Sequence, residues 1–390
     1  MAAGGHHPPM TFIRLFTCAL LVSPVVTPTA ATPAATGFAS INPGSYHTCA
    51  LTAGGTAVCW GSNKNAQLGR GAAGASQPQP QPVATALRYT RLSAGANHNC
   101  AITAGGGVQC WGYNAFGQAG VKTPDIVTRP VSVPTTLKFV EISAGFTHTC
   151  AIAEGGSAYC WGDSRSGQGG AGVSGGWSVA PAKVRAPEGT RFTMIGAGGA
   201  FSCGLTADQL VYCWGSNERG LLGTTVGDTC PAGRGQAPCS RTPVLVGGTL
   251  KVRYLSVGQT HTCAITIAGE TVCWGGAYGA TPAPAAAGHH FSMLTVGSGH
   301  TCGLEGASVQ CWGSNISGKL GNGTTDRSDT PVAVTGSFSF GSMRAGFQHT
   351  CAITTSQSAV CWGDNMDGQL GDGTTTESST PVKITWQGTD

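Results

Sequence analysis

Charge is scarce in this chain: Asp, Glu, Lys and Arg make up only 10% of 390 residues, and 21 basic against 17 acidic residues leave +4. So small a balance excludes the basic footprint of a nucleic-acid-binding domain and a polybasic membrane surface. No carboxylate pair repeats at a fixed spacing, so general acid and base roles have no candidate. The nucleophile-elbow pattern is missing too, with Gly297-Ser298-Gly299 supplying only part of it. Asp364-Asn365-Met366-Asp367-Gly368 resembles a calcium loop until its first and twelfth ligand places fall on Gly363 and Thr374. Gly-rich loops such as Gly321-Asn322-Gly323 lack the lysine and the helix that hold a phosphate. A chain without catalytic, metal or cofactor residues is therefore expected, and not an enzyme.

Cysteine and glycine, by contrast, are plentiful, at 17 and 62 residues. Cys-Trp-Gly recurs at Cys59, Cys110, Cys160, Cys213, Cys273, Cys311 and Cys361, and a partner cysteine precedes each, at Cys49, Cys100, Cys150, Cys203, Cys263, Cys302 and Cys351. Six of these seven pairs are ten residues apart. If the cysteines face each other, Ala53-Gly54-Gly55 remains as a three-residue hairpin loop whose third place calls for a left-handed residue. Gly55, Gly106, Gly156 and Gly269 stand there, with Gln209 and Gln357 as exceptions. The pair Cys302 and Cys311 is nine apart, which shrinks the loop to Gly306-Ala307, glycine first as a type II′ turn requires. The deletion changes the turn and keeps the cysteines opposite, so cross-strand disulfides are expected, each stabilising by roughly 3 kcal/mol at most. Zinc ligands come as CxxC-like pairs and do not fit this spacing. Cys230 and Cys239 complete eight pairs, and Cys18 alone is left over.

The same register sets His47, His98, His148, His261, His300 and His349 opposite the glycine after each Trp, with Phe201 in the fourth copy. The rings are expected to cover that cross-strand glycine, a structural role that Phe fills as well as His. A glycine also stands five residues before each partner cysteine, from Gly44 to Gly346.

Successive first cysteines are 51, 50, 53, 60, 39 and 49 residues apart. Each copy supplies four short strands, the last containing Pro130, Pro243, Pro331 or Pro381, which suits an edge position. A period near fifty with four strands per unit predicts an all-β fold: a seven-bladed β-propeller over 38–390, with a linear β-solenoid as the alternative. Ahead of it, Arg14, the apolar run around Leu15–Val22 and a Pro/Thr/Ala stretch follow the order of a signal peptide over residues 1–31, with 32–37 as linker and Met10 as a second candidate start. That run is too short to span a bilayer. Sixteen cysteines in even pairs also point to an exported, secreted or envelope protein.

The string Gly346-Phe-Gln-His-Thr-Cys-Ala-Ile, then Cys361-Trp-Gly-Asp-Asn-Met-Asp-Gly-Gln-Leu-Gly-Asp-Gly-Thr374, resembles the regulator of chromosome condensation repeat, and the likeness extends over Phe38 to Asp390. The resemblance implies a seven-bladed propeller. The family's namesake acts on a small nuclear GTPase and on chromatin, a role at odds with export. One class of bacterial relatives inhibits β-lactamases by clamping them with loops on one face.

The copies depart from one another in their loops. Copy four inserts Thr224 to Ser240, and copy five keeps only Gly275 to Pro284 between its hairpin and its last strand. Loop tips vary while the framework repeats: Lys64 and Asn65, Phe116, Arg165, Glu218 and Arg219, Ile316, Met366 and Asp367, with Tyr278 in the shortened copy and Trp177 in a Gly-rich loop. That is the pattern of binding loops on a rigid scaffold. A monomer holding one protein partner on these loops is expected. A propeller hydrolase or lyase, and a structural or adhesive cell-surface protein, are the rival readings.

Overall fold

The fold is that of a computed structural model, which describes residues 1, 4–5, 37–232, 235–386 and 388. Seven antiparallel sheets follow one another along the chain, spanning 38–82, 89–132, 139–183, 192–245, 252–285, 293–333 and 340–383. Six have four strands in sequential order, and the fourth gains a fifth strand from the copy-four insertion. These are the blades of the expected propeller. The first strand of each is innermost and the proline-bearing strand outermost, where a missing donor costs nothing. The signal-peptide reading lies outside the described residues.

The hairpins carry the expected register. Cys49 pairs with Cys59 and His47 with Gly61, and the other copies repeat the pairing. All eight cysteine pairs are bridged, with Cα–Cα of 4.0–4.1 Å in the blades and 5.7 Å for Cys230–Cys239. The third loop residues are left-handed throughout, including Gln209 at φ 66° and Gln357 at φ 63°, and Gly306 opens the short turn at φ 60°.

The histidine rings do not lie where the register alone puts them. At the cross-strand glycine, a Cβ on Gly61 would strike the Tyr46 carbonyl and the His47 Cα, not the ring. The imidazole packs instead on the glycine three residues ahead, Gly44 under His47 and Gly95 under His98. These glycines form the hub: a Cβ at any of the seven would come within 2.7 Å of the next blade's glycine carbonyl oxygen, around to Gly346 against Gly44. Only glycine permits that approach.

From this seat each imidazole reaches the neighbouring blade. His349 Nε2 lies 2.8 Å from Thr48 Oγ1, and Thr48 in turn donates to the Gln369 carbonyl at 2.8 Å. Trp60 Nε1 donates to the same carbonyl at 2.9 Å. His98, Thr149, Gln118 and Trp161 repeat the clamp, as do His148, Ser202, Gln168 and Trp214. The hydroxyl proton is committed to the carbonyl, so the imidazole must donate from Nε2 and remain neutral. Burial enforces this, pushing His47, His148 and His261 down to about 4 and His98 and His349 to about 3.

The seam between blades four and five lacks all of these bonds. Phe201 replaces the histidine and Leu221 stands where Gln369 stands in blade seven. Thr262 Oγ1 and Trp274 Nε1, the two atoms that would be clamped, have no hydrogen-bond partner among the described residues. Gly196 also stands where Ser93 and Ser143 accept an amide of the next blade, at 3.0 and 2.9 Å. The seam is packed instead by Phe201, Leu222, Leu255 and Trp274. One side was made apolar and the other was not, which leaves buried polar atoms unpaired at about 1–3 kcal/mol each.

Two outcomes follow from these seams. Thr262→Val is expected to stabilise the protein by about 1 kcal/mol in a denaturant titration, whereas Thr301→Val, which removes the 2.8 Å partner of His261, destabilises it by a similar amount. The histidines also set an acid limit. Their folded pKa values lie below the unfolded value of 6.5, so their contribution is complete above pH 6.5 and is lost as pH falls towards 4. A thermal midpoint that stays flat from pH 7 to 4.5 would contradict this.

Candidate functional site

Antiparallel order divides the turns between two faces. The Gly-x-x-His turns and the long third-to-fourth-strand loops emerge on one face, here called the loop face. The Cys-to-Cys hairpins and the inter-blade connections emerge on the other. Six exposed large apolar side chains stand on the loop face: Tyr46, Phe146, Val173, Trp177, Ile316 and Met366. Leu87, Val140 and Ile267 are their only counterparts opposite, among the described residues.

The loops hold their tips rigidly by a repeated side-chain grammar. In blade two, Asn114 Oδ1 accepts the Ala119 amide at 2.9 Å, and its Nδ2 ties the Val121 and Pro124 carbonyls. Gln118 Oε1 turns back to the Phe116 amide at 3.0 Å. Asn63 with Gln67 and Asn365 with Gln369 do the same. The two residues between Asn and Gly are thereby presented outward.

Three of the sequence candidates meet on blades two and three. Trp177, 60% exposed, meets Phe116 edge-on with centroids 6.4 Å apart, and Phe116 meets Tyr113 at 6.3 Å. The Arg165 guanidinium lies 4.5 Å above the Phe116 ring. Asp163 holds that guanidinium in place through two bonds of 2.9 and 2.8 Å, and Arg165 draws the Asp163 carboxyl below its usual range against the opposing effect of burial. Blade three has Ser164 where blades one, two, four, six and seven have Asn, and the Ser164 side chain reaches only the Val173 carbonyl, at 3.4 Å. The missing amide leaves a cavity of about 260 Å3 beside Trp177, bounded by Trp161, Ala171, Val173 and Gly175.

The other candidates are dispersed. Lys64 pairs with Asp367 at 3.4 Å across the join of blades one and seven, and Ser76 donates to the same carboxylate at 2.7 Å. Asn65 is half-buried beside them. Met366 and Ile316 are exposed singly, as are Glu218 and Arg219 on blade four. Tyr278 turns inward: its ring lies 5.2 Å from His261, and its hydroxyl accepts the Trp312 indole N–H at 2.9 Å, replacing the carbonyl that the deleted loop would have offered.

The sequence reading missed three things. The copy-four insertion is a ribbon, Thr229–Ala232 against Gly235–Leu245, that buttresses the Trp177 loop. Arg241 donates to Asp228, to the Thr229 carbonyl and, at 2.7 Å, to Ser174 Oγ, while its carbonyl accepts the Gly172 amide. Lys319 takes the place of the loop glutamine in blade six, is buried, and gives its ammonium to the Ser298 carbonyl at 3.1 Å and to Gln348 Oε1. Burial lowers it to about 8. On the hairpin face, the inner strands enclose a funnel of about 970 Å3. No group of three or more His, Cys, Asp or Glu residues among those described could hold a metal ion, and no helix among them is long and apolar enough to cross a membrane.

These features define a class: a seven-bladed β-propeller with one disulfide per blade, bearing variable loops on a fixed frame. Two profiles of the Regulator of chromosome condensation (RCC1) repeat match the chain, one over residues 38–67, 89–118, 139–168, 193–221 and 342–369, the other over 55–102, 105–152, 208–265 and 308–353. The chain belongs to this repeat family. It is 28% identical over 339 residues to the human E3 ubiquitin-protein ligase HERC2, covering 82% of this chain and 6% of that protein. It is 27% identical over 235 residues to the Arabidopsis thaliana ultraviolet-B receptor UVR8, covering 60% of this chain and 51% of that one. The chain thus spans about half the length, or far less, of these relatives. Among solved structures, Prp20p of Saccharomyces cerevisiae, studied for its binding to Gsp1p and histones, superposes with a TM-score of 0.74 at 19% identity, over 90% of this chain and 88% of that one.

If the insertion supports the Trp177 loop, Arg241→Ala will speed hydrogen exchange at residues 171–177 and leave the hairpins of blade six unchanged. Exchange that stays the same in both regions would count against the buttress.

Proposed function

We propose that this chain is an exported protein-binding scaffold whose partner docks on the loop face, centred on Tyr113, Phe116, Trp177 and the stacked Arg165. The single observation that carries this reading is the aromatic patch itself, where a large, exposed indole stands over an apolar cavity on a rigid frame. Aromatic residues and arginine beside a pocket have the composition of an interface hot spot. Regulatory and binding roles are typical of RCC1-repeat propellers, and the name of Prp20p is joined to protein partners. Eight disulfide pairs support an oxidising compartment outside the cytoplasm, in line with the signal-like pattern of residues 1–31. The remaining tips, Lys64, Asn65, Glu218, Arg219, Ile316, Met366 and Asp367, form the rim in this reading. Tyr278 serves the frame.

The test is capture of secreted and envelope proteins by the chain beginning at residue 32. Trp177→Ala is expected to lower recovery of the specific partner at least tenfold, in the range of a hot-spot truncation. Phe116→Ala lowers it too, by unseating both Trp177 and Arg165. Unchanged capture with both variants would overturn the assignment to this patch.

A further inference from the structure

The funnel on the hairpin face is chemically lopsided. Its wall is formed by the innermost strands, each of which directs two residues into the channel before ending at the glycine hub. The upper tier reads Ser40, Arg91, Glu141, Met194, Tyr254 and Met293 around blades one to six. Blades two and three therefore give charge, and blades four to six give two thioethers and a phenol. Arg88 stands at the rim.

The lower tier is small and mostly polar, with Gly196 in blade four and one charged residue. Ser93, Ser143, Ser256 and Thr295 each accept an amide of the next blade, at 3.0, 2.9, 3.1 and 2.8 Å. In blade seven that place holds Arg344. The residue it would serve in blade one is Pro43, which has no N–H to give. The position is thus freed from its structural duty and carries a solvent-exposed guanidinium into the funnel. Arg344 reaches across to the Tyr254 hydroxyl at 3.4 Å and forms no ion pair with any described residue. The one carboxylate in the wall, Glu141, is already 3.8 Å from Arg91. Three guanidinium groups, of Arg88, Arg91 and Arg344, face a single carboxylate, so the funnel has positive charge left over.

We propose that this funnel binds one small amphiphilic anion, an aromatic or alkyl carboxylate or sulfonate. Its head group bonds to Arg344, with Arg91 and Arg88 adding charge, and its apolar body lies along Met194, Tyr254 and Met293. The volume lies within the roughly 300–1,000 Å3 of small-molecule sites. The planar fork of Arg344 suits a two-oxygen head group. This site is on the face opposite the aromatic patch, so it stands or falls independently of the protein partner.

Calorimetry on the whole chain tests it with three probes: naphthalene-1-sulfonate, its neutral counterpart 1-naphthylmethanol, and inorganic sulfate. Naphthalene-1-sulfonate is expected to saturate at one per chain and to bind more tightly than either of the others, since each lacks half of the recognition. Arg344→Ser, which installs the residue that blades two, three and five carry, should weaken it about tenfold, the equivalent of one charge-assisted hydrogen bond. Tyr254→Ala weakens it while leaving the charge in place, and Arg344→Lys keeps part of the affinity and guards against a folding defect. Arg327→Ser on the loop face leaves it unchanged. Absence of saturable binding, equal affinity in Arg344→Ser, or equal affinity for the neutral alcohol would overturn the proposal.

Discussion

Every complete seam in this ring rests on an imidazole that has to stay uncharged. Its Nε2–H enters a hydroxyl or amide oxygen of the next blade, and that group's own hydrogen is spent on a carbonyl of the blade the imidazole came from. The other ring nitrogen lies against a hub glycine: Nδ1 of His47, His98 and His349 is buried and meets no acceptor among the described residues. A second proton would have nowhere to go. The Trp indole and the disulfide sulfurs shield the same spot from water, with Cys49 Sγ 3.3 Å from Asn99 and Cys100 Sγ 3.7 Å from Thr149. Within a dry environment a satisfied polar network is strong and an unsatisfied one is costly. The framework residues that repeat most faithfully are those that keep these joints both bonded and dry.

That economy explains why departures cluster. Phe201 and Gly196 each remove a side-chain bond at one seam, and the Leu221 carbonyl there takes neither Thr262 Oγ1 nor Trp274 Nε1. Next to it, on the seam of blades three and four, the insertion pinned by Cys230–Cys239 reaches back through Arg241 to steady the loop that carries Trp177. Lys319 is a departure of another kind, a charge placed where four other blades have glutamine and held by two oxygen acceptors. Regularity carries the ring, and irregularity marks blades three to six.

Local chemistry was legible in the sequence, and chemistry between blades was not. Ten-residue cysteine spacing, the left-handed third loop residue and the glycine-first turn at Gly306 all depend on one hairpin, and each was read correctly from its own stretch. The substitution of Phe201 for histidine rightly gave the rings a structural role. Their contact was misplaced, because the partner of His349 is Thr48, some three hundred residues away, and no register within a hairpin can point to it. Tyr278 was read as a free tip by analogy with its neighbours, yet the shortened loop brings its hydroxyl to an indole in want of an acceptor. Trp177 and Phe116 were singled out together with Tyr278, and only the fold shows that Arg165, held by Asp163, joins the first two while Tyr278 turns away. The funnel draws single residues from separate strands, so no stretch of sequence displays it.

Each blade is made from one uninterrupted stretch of chain, and among the described residues no strand is exchanged between the first blade and the last. The join of blades seven and one is fastened by the same His349, Thr48, Gln369 and Trp60 contacts as most other joins, with Lys64 and Asp367 added outside. Topologically the ring therefore has no privileged origin. A circularly permuted gene, opened at any connector between blades and sealed across the present ends, would encode the same wheel, and duplication of whole blades is the natural route by which such a wheel arises.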